Sequence, residues 1–230
     1  MATSTVSNST MHDEDVLIQE LGYDDHFHDH HHGDKFKSNF ITTYIFSMDH
    51  KMIAKQFLIT GMFWAVVGSM MSLVFRLQLG FPEESLLWLK PFLGKWIVVN
   101  NGIGSLSPEF YYALVTMHGT ILVFFVLTAG LSGTFSNLLI PLQIGARDMA
   151  SPFLNMLSYW FFFLAGMVMF LSLFLSTGPF SGGWTAYPPL SILPLASTGS
   201  GAGMTMWAMS LVFFVVSVLL GGVNYITTVL

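Results

Sequence analysis

Hydrophobic positions fall into four long runs, near residues 57–79, 110–140, 153–176 and 204–228, parted by stretches rich in Gly, Pro, Ser and Asn. Each run is long enough for a helix to cross a hydrocarbon core of about 30 Å, which takes roughly 20 residues. The pattern predicts an all-α integral membrane bundle of four transmembrane helices. The second run is long enough to tilt or to protrude. The first carries Gly61, Gly68, Ser69 and Ser72, small residues that admit a second helix or a flat cofactor close to the backbone.

The segments between the runs are of several kinds. Residues 1–40 are polar, acidic and rich in histidine, which predicts a disordered tail. Its His26, His28, His30, His31 and His32, with Asp24, Asp25, Asp29 and Asp34, read as a solvated segment that could also bind copper or zinc. No cleavable signal-peptide pattern stands in this tail, so the first apolar helix is expected to act as its own insertion signal. An amphipathic approach, TTYIFSMDHKMIAKQ, leads into the first run. Between the first two runs, LLWLKPFLGKWIVV is apolar and is expected to lie in the membrane interface, anchored by its Trp residues.

Composition supports the same solvent. Apolar residues make up 53% of the chain and charged residues 9%, with mean hydropathy +0.64. Soluble domains carry about 25% charged residues. The net charge of −5 arises in the acidic tail, so nothing in it points to nucleic acid. No cysteine is present, which removes disulfides, zinc–thiolate sites and iron–sulfur clusters. Lys35, Lys37, Lys51, Lys55 and Arg147 fall on the side of the N-terminus, against Lys90 and Lys95, with Arg76 at the rim, on the other. That bias predicts a cytoplasmic N-terminus.

Candidate chemistry starts from one histidine. Of eight in the chain, six precede the first apolar run and His50 sits at its threshold. Only His118 lies within a run, and an ionisable residue there is a functional-site candidate. One histidine without cysteine partners cannot build a zinc site of about four ligands. It can supply one axial ligand to a heme iron, or it can be hydrogen-bonded across helices in a purely structural bundle. Arg76 and His118 both fall in the outer half of their runs. The guanidinium could therefore snorkel to the interface or hydrogen-bond a macrocycle held by the histidine. On the inner side Asp148 follows Arg147. Asn137 ends the second run, and Asn155 and Ser158, on one helix face, begin the third. A carboxylate feeding amides and hydroxyls suits a proton or water path; a solvated loop salt bridge with interfacial amides is the plainer reading.

The segments DHKMIAKQF, FRLQLGFPE, PEFYYALVTMHGTILVFF, SNLLIPLQIGARDMASPFLNMLSYW, GGWTAYPPL and GGVNYITT, in this order, resemble subunit I of the heme–copper terminal oxidases from about Ser47 onward. The resemblance implies the first part of a fold of about twelve helices. It implies that His118 is an axial ligand of the low-spin heme and that Arg76 contacts the formyl group of a heme A. Asp148 then stands at the mouth of the D proton pathway, with Asn137 and Asn155 lining its entrance, and Ser158, on the face of Asn155, is a further candidate of the same path. Tyr111 and Trp184 match aromatics on the heme side. The second heme and copper B are expected from the remainder of the subunit, so this portion alone is not expected to reduce oxygen. Expected partners are a copper-carrying subunit II, subunit III, membrane lipid, and cytochrome c or a heme c domain as electron donor. Positions that are polar in quinol-oxidising relatives are Val67, Met71, Phe110 and Ala113 here, which favours cytochrome c over quinol. The resemblance places the protein in a bacterial inner membrane. The fourth run keeps Ser217 and Asn224, but Val218 stands where the family has a second serine.

Overall fold

The computed structural model of the chain describes residues 40–82, 85–193, 196 and 201–230. The acidic tail and its candidate metal-binding cluster lie outside the described residues. The chain divides into two compact units, 1–45 and 46–230. The described part of the first holds one π-helical turn, Ile41–Ile45.

The second unit is built on four helices: α1, His50–Gly80; α2, Pro108–Ile144; α3, Pro152–Ser172; and α4, Ala202–Val229. Each is long and apolar enough to cross a membrane. Large apolar side chains stand outward on them, among them Ile59, Val66, Leu127 and Leu219. Facing water these would be an aggregation liability; facing lipid they are matched. Three of the helices start where the sequence supplies a cap. The Asp49 carboxylate accepts from Lys51 N at 3.1 Å, Ser107 Oγ from Phe110 N at 3.3 Å, and Ser151 Oγ from Leu154 N at 3.4 Å. A proline follows each serine at the first helical position, where its missing N–H costs nothing.

The polar Asp49 cap starts α1 at His50, ahead of the apolar run. Helix α3 stops at Ser172, short of its apolar run. Leu173 N and Phe174 N already bond carbonyls three residues back, a tightened turn, and the left-handed Gly178 (φ 88°) follows. The segment between α1 and α2 contains a hairpin that the hydropathy pattern did not announce. Strand β1, Ile97–Asn100, pairs antiparallel with β2, Ile103–Leu106, in the register Ile97↔Leu106. Asn101 (φ 51°) and Gly102 (φ 81°) make its turn, both left-handed, as a two-residue hairpin of this hand requires. Leu106 N donates to Gln78 Oε1 at 2.9 Å, which ties the hairpin to the end of α1.

Helices α1 and α2 touch through glycine. A Cβ on Gly61 would lie 2.9 Å from the Gly130 Cα. Gly133 and Gly166 leave room in the same way for Phe57 and Trp64. Into the space between helices go Trp64, Phe125, Phe162 and Phe214, with Trp64 and Phe125 centroids 5.3 Å apart. The middle of α2, Ile121–Leu131, is wound as a π-helix. There Thr128 Oγ1 donates to the carbonyl five residues back, Val123 O, at 2.8 Å.

Candidate functional site

Two polar regions stand at opposite ends of α2. At the outer end, His118 lies between α1 and α2 with its Nδ1 2.9 Å from Gly68 O. A main-chain carbonyl only accepts, so Nδ1 carries the proton and the ring is held in one tautomer. Nε2 is left with an open lone pair and no hydrogen-bond partner among the described residues. Metal-bound histidines are oriented this way, by a carbonyl at the second ring nitrogen. The donor suits one axial position of a heme iron, and a single imidazole suffices for it. Glycine makes the bond possible, since a Cβ on Gly68 would fall 2.8 Å from Leu122 Cδ2.

The other outer residues are placed through neighbours of His118. Phe75 packs edge-on against His118 (5.5 Å between ring centroids) and Tyr111 (6.0 Å). Arg76, next along α1 and exposed, donates from Nε to Ser72 Oγ at 3.1 Å. This leaves the terminal nitrogens of its guanidinium for another acceptor. Trp184 lies over Gly119, where an added Cβ would be 3.1 Å from Trp184 Cδ1. Gly183 N donates to Thr116 Oγ1 at 3.0 Å, which holds the GGWTAYPPL loop against α2. Phe75 thus brings Tyr111 beside His118, with Arg76 next to Phe75 on α1, while Trp184 packs on Gly119, the residue after His118.

At the inner end, Asp148 is not paired with Arg147. Its Oδ1 accepts from His50 Nδ1 at 3.2 Å and from Met149 N at 2.7 Å. His50 is buried to 3% exposure, while the Asp148 side chain remains 37% exposed. Asp49 Oδ1 lies 3.5 Å from the same His50 nitrogen. Asp49, His50 and Asp148 each bring one potential ligand atom within 4.8 Å of the others. His50 Nε2 is buried without a partner. Sequence reasoning left His50 at the membrane threshold and gave it no role, because its partner is 98 residues away.

Deeper in, Asn137, Asn155 and Asn224 are fully buried and Ser158 nearly so. Asn137 Nδ2 donates to Gly133 O at 2.7 Å and to Tyr225 Oη at 3.2 Å. Asn224 Oδ1 accepts from Ser151 N at 2.9 Å. Among the described residues, Asn137 Oδ1, both amide atoms of Asn155 and Asn224 Nδ2 have no protein partner. A buried amide left unpaired costs about 1–3 kcal/mol, so these atoms call for water. Asn137 bonded to Tyr225, Ser158 bonded to Asn155 O, and Asn224 bonded to Ser151 N make up the inner cluster of buried polar residues on α2, α3 and α4, with Tyr225 added by the fold.

Val67, Met71 and Phe110 line a cavity of about 720 Å³ at the outer end, with Lys95 and Ser176 on its wall. Ala113 is buried beside it, at 1% exposure. The Lys95 ammonium stands 4.7 Å from the Trp96 ring centroid and donates to Ser176 O.

Comparison with known proteins places this arrangement. Residues 52–230 match the family described as cytochrome c and quinol oxidase polypeptide I. The chain is 39% identical over 189 residues to an alternative cytochrome c oxidase subunit 1 of Bradyrhizobium diazoefficiens, covering 82% of this chain and 29% of that one. It is 32% identical over 194 residues to a cytochrome c oxidase subunit 1 of Bacillus subtilis, covering 84% and 27%. A heme–copper oxidase subunit I+III of Aeropyrum pernix is 33% identical over 186 residues, covering 81% and 20%. The chain spans less than a third of the length of each of these relatives. With a family match running through all four membrane helices, this chain is an integral membrane protein and belongs to the cytochrome c and quinol oxidase polypeptide I family.

Proposed function

We propose that this chain forms the heme-binding and proton-uptake portion of subunit I of a proton-pumping respiratory terminal oxidase. The oxidase takes electrons from cytochrome c and reduces dioxygen to water. The observation that carries the reading is His118, with Nδ1–H fixed on Gly68 O and Nε2 free. His118 holds the low-spin heme through Nε2, and the free nitrogens of Arg76 meet a polar substituent on the ring edge, the formyl of a heme A. Tyr111 and Trp184 close the heme side. The heme supplies one-electron transfer when bound. A second heme and copper B belong to the remainder of the subunit.

Asp148, turned to the surface and oriented by His50, collects protons from the cytoplasmic side. Asn137, Asn155 and Ser158 hold the water that carries them inward. The N-terminus is cytoplasmic, the membrane is a bacterial inner membrane, and the partners are a copper-carrying subunit II and a subunit III. Cytochrome c or a heme c domain is favoured as donor over quinol. The cavity lined by Val67, Met71 and Phe110 has room for a ring but offers no carboxylate, amide or imidazole to receive quinol protons.

In the complete oxidase, His118→Ala is expected to abolish the low-spin heme signal in a reduced-minus-oxidised spectrum. Asp148→Asn should leave the spectrum intact and slow proton uptake. A heme-free scaffold, the competing reading, gives no such spectrum in the wild type. An unchanged spectrum in His118→Ala would remove the ligand assignment. Turnover with quinol but not with reduced cytochrome c would overturn the choice of donor.

A further inference from the structure

One hydroxyl of the inner cluster has a proton that the protein does not use. Asn137 contacts Gly133 O and Tyr225 Oη through the same side-chain atom. A main-chain carbonyl only accepts, so that atom is the amide nitrogen, and the Tyr225 oxygen must accept from it. The phenol proton therefore points elsewhere, and no protein acceptor meets it among the described residues.

Tyr225 lines a cavity of about 30 Å³, room for a water molecule, together with Thr128, Ser158, Ser217 and Val218. Three hydroxyls on that wall have spent their protons. Thr128 donates to Val123 O at 2.8 Å, Ser158 to Asn155 O and Ser217 to Ser158 O, each at 2.7 Å. Their lone pairs remain. A water in the cavity thus meets several acceptors and two hydroxyls that keep a proton to give, the exposed Ser132 and the half-buried Tyr225, of which only Tyr225 is also bonded to an amide of the inner cluster.

We propose that Tyr225 is a proton-relaying residue of the uptake path and supplies the hydroxyl that Val218 lacks. The inference rests on reading the inner cluster as that path. The phenol gives its proton to the cavity water, which then carries the charge, as its second lone pair takes one from a protonated water held by the unpaired amides, which is left neutral. One O–H bond breaks, one forms, and the phenol ends uncharged. Asn137 fixes the direction, because its N–H occupies the other lone pair.

The test uses the assembled oxidase reconstituted in vesicles, with proton uptake and turnover measured beside the heme spectrum. Tyr225→Phe keeps the ring and removes the hydroxyl. Losing one well-placed hydrogen bond from the transfer predicts uptake slowed about 5- to 10-fold, with the heme spectrum unchanged. Val218→Ser, which puts a hydroxyl on the same cavity wall, should restore much of the rate in the double variant; a merely structural tyrosine would not be rescued this way. Gly221→Ala is a second probe that keeps the phenol. Its Cβ would sit 3.5 Å from Tyr225 Oη, in ordinary contact, and take the water's place. It should slow uptake similarly, and it carries the test alone if Tyr225→Phe fails to assemble. Wild-type rates in the assembled variants, with Asp148→Asn still blocking uptake, overturn the relay and keep the path. Wild-type rates in Asp148→Asn as well overturn the path itself.

Discussion

Gly61→Ala should disturb the heme ligand from more than a helical turn away. A Cβ on Gly61 would lie 2.9 Å from the Gly130 Cα and 3.5 Å from its carbonyl carbon, main chain that cannot rotate aside. Carbon atoms settle at about 3.5–4.0 Å, so α1 and α2 must part by roughly 0.6–1.1 Å. The bond from His118 Nδ1 to Gly68 O spans the same interface, seven residues or about 10 Å farther along α1. At 2.9 Å now, it would open to about 3.5–4.0 Å, past the range of a hydrogen bond. The cost is about 1–3 kcal/mol of overpacking and about 1 kcal/mol for the bond. Alanine's better helix propensity returns at most about 1 kcal/mol. Gly222→Ala is the control, since nothing lies within 4 Å of its Cβ. The assay is thermal denaturation of the purified complex with the low-spin heme band as the signal. Gly61→Ala should melt several degrees lower and show a shifted or weakened band. Matching melting and spectra in the two variants would refute both the rigid glycine contact and the orienting role of the Gly68 carbonyl.

Two other substitutions probe the inner end. His50→Gln removes the imidazole that orients Asp148 and should slow proton uptake roughly two- to tenfold, the worth of one net hydrogen bond, with the heme spectrum intact. Uptake equal to wild type in vesicles would show that Asp148 needs no orientation. Asn155→Leu replaces an amide with no protein partner by an apolar side chain of similar size. It should leave thermal stability unchanged or raised while cutting uptake by about an order of magnitude. Stability lowered by several kcal/mol at undiminished uptake would mean that the amide is structural.

The four membrane helices were legible because each is a long apolar run; their exact starts, set by the caps Asp49, Ser107 and Ser151, were not. The hairpin was missed although Asn101-Gly102 announced it. Its first strand opens on the continuous apolar run Ile97, Val98 and Val99, which read as interface rather than as alternation. The π-wound stretch of α2 has no sequence signal at all. Ile121–Leu131 is apolar on every side, and a uniform surface cannot report its own period. His118, Asp148 and the asparagines stood out as polar residues in or beside hydrocarbon. Their partners did not. His50 meets Asp148 through the closure of α1 on the turn after α2, and Trp184 reaches His118's turn through Gly119. The adjacent Arg147 and Asp148 suggested an ion pair, yet the carboxylate turns to the buried imidazole. Tyr225 carried no reading of its own in the sequence, because its partner Asn137 lies 88 residues away.

The two ends of α2 differ in how they settle their polar atoms, and the difference bears on mechanism. At the outer end, one carbonyl satisfies His118 Nδ1, and Nε2 keeps an open lone pair that a metal could take. At the inner end, four amide atoms of Asn137, Asn155 and Asn224 are buried without protein partners among the described residues. Left dry they would cost together about 4–12 kcal/mol, against a total stability of about 5–15 kcal/mol for a typical domain. A fold cannot carry that load for packing alone, since leucine in place of Asn155 would remove the penalty at similar volume. Water in the inner cluster removes it equally well, and water is what a proton path requires. Between the two ends lie the buried rings of Trp64, Phe125, Phe162 and Phe214. On the proposed reading, helix α2 joins a site for an electron carrier to a watered one for protons, with aromatic rings between them. Protons admitted at Asp148 would then follow the hydroxyls of Ser158, Ser217 and Tyr225 toward α4.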